Sequence, residues 1–75
     1  MSNLIGKQLF RSLVMRYQSE IQSNQSTLMI YLTKPVGIGE HPQHLEEMDK
    51  LVCNVTDAKD KLEYLLEEEK ILNEY

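Results

Sequence analysis

The sequence predicts an all-α protein: an antiparallel two-helix hairpin of coiled-coil type that dimerises into a four-helix bundle. Three observations carry this reading. Apolar residues recur at alternating three- and four-residue steps in both halves of the chain. Between the halves, TKPVGIGEHPQH (Thr33 to His44) holds both prolines, both histidines and two of the three glycines. And 75 residues with one cysteine form one small domain, in which no intrachain disulfide can reinforce a marginal core. The predicted division of that domain is a helix over 3–33, a loop over 34–41 and a helix over 42–73.

In the first helix, Phe10, Val14, Tyr17, Ile21, Asn24, Leu28 and Tyr31 form the stripe, and Leu13 and Leu32 broaden it. The weak stretch is QSNQST (Gln22 to Thr27), six polar residues of poor or middling helix propensity. A first helix could end there and a second begin near Ser26. The apolar phase before the stretch matches the phase after it, whereas a loop would reset it. One helix, straight or bent, is therefore expected, with Asn24 facing inward. A buried polar residue at such a position fixes register or partner number at some cost in stability.

The loop follows from backbone chemistry. Pro35 pushes Lys34 out of helical geometry. Gly37 and Gly39 permit positive φ. Pro42 suits the first position of the next helix, where no backbone N–H is missed. These four residues are the expected hinge, with Val36 and Ile38 tucked over the end of the pair.

In the second helix, Met48, Leu51, Val55, Ala58, Leu62, Leu65 and Leu72 repeat the stepping, and Glu69 takes the one skipped place. Leu45, Val52 and Leu66 widen the stripe on one side. Glu46, Glu47 and Asp49 lie near the positive end of the helix dipole, and Glu46 and Lys50 stand in the favourable acid-first i,i+4 order.

The width of both stripes implies a partner. A strict two-helix seam needs only its a and d residues, and ordering a small scaffold roughly cancels what its apolar burial returns. Phe10, Val14, Tyr17, Ile21, Leu28, Leu45, Val52 and Leu66 are the predicted interface residues, with Tyr31, Tyr64 and the methionines also suited to contact. A homodimer is expected, or docking onto another helical protein.

Formal net charge is −4, but it divides unevenly. Through Lys34 there are four basic residues and one acidic, giving +3; from Pro35 onward there are four basic and eleven acidic, giving −7. The acidic half does not suit a general binder of phosphate backbones. Lys7 and Arg11 are i,i+4 neighbours and form a small basic face with Arg16 turned away; pairing with the acidic helix is the plainer use for it. No apolar run is long enough to span a bilayer, no secretory leader is expected at MSNLIGKQLF, and a soluble chain in a reducing cytoplasm is expected.

Candidate chemistry is sparse. Gly37-Ile38-Gly39 lacks the preceding strand and the third glycine of a dinucleotide loop, and Pro42 stands where that glycine would be. His41, His44, Glu40 and Glu47 could approach one cation, but a site needs three or four ligands of fixed geometry, and Cys53 is about 13 Å of helical rise from His44. His41 reads more simply as a cap before Pro42, and His44 as exposed in the first turn. Cys53 falls at a c-type position beside the core stripe. Asp49 and Asp57 lie a turn away on either side, the opposite of the electropositive setting a reactive thiol needs. The sequence thus predicts no catalytic residue, no cofactor and no metal.

KPVGIGEHPQHLEEMDKL together with DAKDKLEYLLEE resembles short uncharacterised proteins of T-even-like tailed phages, including those of marine cyanobacteria. The resemblance covers Tyr31 to Glu68, about half of the chain; its loop motif is distinctive and its helix motif is ordinary coiled-coil composition. It implies a phage origin and residence in the host cytoplasm, and names no catalytic residue. The function expected is a non-catalytic interaction module; the alternative is a nucleic-acid-associated accessory protein of phage replication or transcription.

Overall fold

The computed structural model describes residues 4–34 and 44–73, without the side chain of Leu72. Two α-helices make up the fold, α1 (Leu4–Thr33) and α2 (His44–Asn73), which pack against each other as an antiparallel hairpin. Among the described residues there is no strand. The predicted hinge residues Pro35, Gly37, Gly39 and Pro42 lie outside the described residues, as do His41, Glu40, Val36 and Ile38.

α1 runs unbroken through the polar stretch at 22–27. Side chains that could have drawn the backbone out of the helix bond back to it instead. Asn24 Nδ2 donates to the Glu20 carbonyl at 2.6 Å, Thr27 Oγ1 to the Ser23 carbonyl at 3.0 Å, and Ser23 Oγ to the Glu20 carbonyl at 3.4 Å. Ser12 and Thr33 bond in the same way to carbonyls four residues back. At the end of α1 the Lys34 N–H still donates to the Ile30 carbonyl at 2.9 Å, so the ladder outlasts the helix by one residue. α2 carries Glu46 and Glu47 in its first turn and Lys70 in its last, which suits its dipole at both ends. α1 has no such charges at either end; packing must hold it.

Register is read from three cross-helix contacts. Asn24 is level with Asn54, Tyr31 with Glu47, and Tyr17 with Lys61. The expected α1 stripe, Phe10 through Tyr31, is the half-buried row of that helix, joined by Gly6 and Leu13. On α2 the inward row runs His44, Met48, Leu51, Val55, Ala58, Leu62 and Leu65. The next place differs from expectation: Glu68, not Glu69, is half-buried. Tyr64, one turn back, is its hydrogen-bonding partner. Glu69, at the open end of the seam, keeps its carboxylate in water.

The core is short. Among the described residues only Val55 (8% exposed) and Ala58 (1% exposed) are buried. Both sit at the middle of α2, across from the Tyr17 to Asn24 segment. The seam residues toward both ends are half-buried. Replacing Ala58 by leucine should overpack the seam at its most buried position. We expect Ala58→Leu to cost about 1–3 kcal/mol, measured by urea unfolding at fixed protein concentration; an unchanged midpoint would contradict this packing.

Candidate interaction surface

The seam divides the surface of the rod into two unlike sides. Residues just after the inward-facing Tyr17, Asn24 and Tyr31 lie on one flank of α1, and residues just after Leu51, Ala58 and Leu65 lie on one flank of α2. Because the helices run in opposite directions, these two flanks fall on the same side of the hairpin. The other two flanks form the second side.

The second side is polar and ties the helices together. Asn54 Nδ2 donates to Asn24 Oδ1 at 3.1 Å, so the inward asparagine meets another amide rather than an apolar wall. The Tyr31 hydroxyl donates to the Glu47 carboxylate. The Lys61 ammonium stands 6.0 Å from the centre of the Tyr17 ring, within cation–π range. Between these links runs a shallow groove of about 310 Å³ lined by Glu20, Asn24, Asn54, Asp57 and Lys61. His44, expected to be exposed, is half-buried because the Tyr31 ring packs edge-on against it, centroids 5.3 Å apart at 76°.

The first side is apolar and open. Leu32 is level with Leu45 at the loop end; their exposures are 57% and 77%. Gln25 is level with Val52, Gln18 with Lys59, and Arg11 with Leu66. Met15 and Met29 border the same flank of α1 and are exposed, as are Val52 and Leu66. The predicted interface residues thus divide. Phe10, Val14, Tyr17, Ile21 and Leu28 face α2 within the chain and are half-buried; Leu45, Val52 and Leu66 are solvent-facing. Leu13 and Leu32, both expected to broaden the stripe, stand on opposite sides of the rod. The sequence reading passed over Asn54 and Lys61, whose signal was their place one flank away from the stripe at the levels of Asn24 and Tyr17.

Cys53 is exposed rather than beside the stripe: two residues past the inward Leu51, it is turned about 200° from that residue. Among the described residues no three histidine, cysteine, aspartate or glutamate side chains converge as a metal site, and no helix is long and apolar enough to cross a membrane. No known protein family matches the chain, and neither a curated protein nor a solved structure does so at a significant level.

The hydrogen bond to Glu47, with desolvation and the charge of Glu47 adding to it, holds the Tyr31 phenol above its ordinary value. The Glu68 hydrogen bond, its charge, desolvation and Glu67 do the same for Tyr64. A tyrosine that keeps its proton longer when folded contributes fully below the ordinary tyrosine range, and that contribution is lost as pH rises through the raised value. We expect helicity, followed by circular dichroism, to hold up to about pH 10 and to fall above it. Tyr31→Phe should shallow that fall, and an equally steep fall in the variant would discount the cross-helix bond. A second outcome concerns the amide pair: Asn24→Leu combined with Asn54→Leu should raise the melting temperature by about 5 °C. It should also yield more than one species by native mass spectrometry, because the polar register mark is gone.

Proposed function

We propose that the chain is a small non-catalytic protein–protein interaction module of phage origin, acting in the host cytoplasm, that self-associates through its heptad flanks. The observation that carries the reading is the apolar side of the rod. Leu32, Leu45, Val52 and Leu66 stand in solvent beside a seam in which, among the described residues, only two are buried, and a two-helix coiled coil would have no use for apolar residues there. Covering that side with a second hairpin gives four helices around one core. The shallow polar groove on the opposite side has no enclosed wall against which a substrate could be desolvated, which favours binding over catalysis. Phage origin and location rest on the likeness of the KPVGIGEHPQHLEEMDKL segment.

Sedimentation over a wide concentration range tests the proposal. The wild-type chain is expected to be a dimer, and Val52→Glu combined with Leu66→Glu should weaken it about 100-fold or more, since two carboxylates per copy would be desolvated without partners. A monomer at high concentration would remove the reading.

A further inference from the structure

We infer that the partner on the apolar side is a second copy of this chain lying in the opposite direction, with the loop-bearing ends pointing apart and a twofold axis crossing at the level of Gln18 and Lys59. This rests on the self-association proposed above and adds its geometry.

Size permits such a partner. From Leu4 to Leu32 the side is about 42 Å long at 1.5 Å per residue, and two adjacent helices present a face about 20 Å wide. About 800 Å² per copy is the area of a standard stable interface.

Two arrangements place this side against itself with twofold symmetry. With the loops at the same end, each α1 residue faces the level residue of the partner's α2. Leu32 then meets Leu45, but Val52 meets Gln25, Leu66 meets Arg11, and Leu4 meets Asn73. Three of these layers set an apolar side chain against a polar one.

With the loops at opposite ends, each helix faces its own counterpart reversed. Leu4 meets the partner's Leu32, Val52 meets the partner's Leu66, and Arg11 meets the partner's Gln25, whose amide oxygen accepts from a guanidinium. One mismatch remains, Leu45 against Asn73.

Helix net charge argues at first sight for the other arrangement, because here the acidic α2 lies beside its own kind. The charges that border this side temper that argument. Asp49 lies within one residue of level with the partner's Lys70, an opposite-charge approach that symmetry repeats. In the same-end arrangement Asp49 and Glu63 would border Met29 and Met15. The electrostatic costs are Asp49 level with the partner's Glu69, which the partner's Lys70 beside it offsets, and Lys59 meeting Lys59 at the axis, where long stems let both ammonium groups reach water.

Cysteine pairs in a Cys53→Ser background test the geometry. Leu4→Cys and Leu32→Cys in one chain are about 42 Å apart along α1, so a disulfide between them must join two chains. Gln18→Cys, which leaves every apolar pair intact, should cross-link to its own counterpart at the axis. Covalent dimers from both variants under mild oxidation are expected, with Leu4→Cys alone staying monomeric on a non-reducing gel. Lys59→Gln should tighten the dimer about threefold by removing the like-charge meeting. A wild-type dimer in sedimentation whose Gln18→Cys and Leu4→Cys/Leu32→Cys variants do not cross-link would overturn the orientation and leave self-association standing. A wild-type monomer would overturn both.

Discussion

The narrow contact at Val55 and Ala58 is the constraint on which the rest of the hairpin depends. Two helices of thirty residues each pack along a seam in which, among the described residues, only two side chains are buried. Ordering that much backbone costs more than such a contact returns. Every other feature of the rod answers this shortage: half-buried stripes that extend the contact lengthwise, polar bonds along one side, and apolar flanks along the other.

The two sides do different work. Asn24 with Asn54 and Tyr31 with Glu47 add little net stability, since each group gives up water to gain its bond. Their effect is on register. A slip of α2 by one turn would leave the Asn24 amide against an apolar neighbour, so the hydrogen bonds penalise wrong alignments more than they reward the right one. Once register is fixed, the flanks of the two helices come level, and Leu32 with Leu45 becomes one apolar patch rather than two scattered exposed residues. Register set on the polar side is thus what brings Leu32 level with Leu45 on the other.

How much of this was legible in the sequence depends on the physical signal involved. Helix type and extent were legible because heptad phase is carried by many residues at once: the phase continuity from Ile21 to Leu28 correctly outweighed six polar residues of weak propensity, and back-bonding by Asn24 and Thr27 explains why. Sidedness was not legible, because a stripe read on one helix has a width but no partner to define left and right. Leu13 and Leu32 broaden the same stripe and yet part company once α2 is in place. His44 was misread for a related reason. Its half-burial comes with a single aromatic neighbour, Tyr31, and one contact leaves no periodic trace.

The charge asymmetry of the sequence is displayed rather than consumed. The cation that reaches across the seam, Lys61, belongs to the acidic helix and addresses the Tyr17 ring on the basic one, while Arg11 and Arg16 lie off the seam of α1. Most of the carboxylates of α2 therefore remain on outward faces, so the outer face of α2 is net negative while that of α1 is net positive. Like-charged faces repel over about 8–10 Å at moderate salt, which discourages stacking in arbitrary orientations. The apolar side carries fewer charges, Arg11 and Lys59 among uncharged Gln18, Gln25 and the methionines, so that repulsion is weaker there. One distribution of residues thus separates two tendencies: the acid on the outer face of α2 opposes close approach of like faces, and its scarcity on one side makes that side the better suited to the contact proposed above.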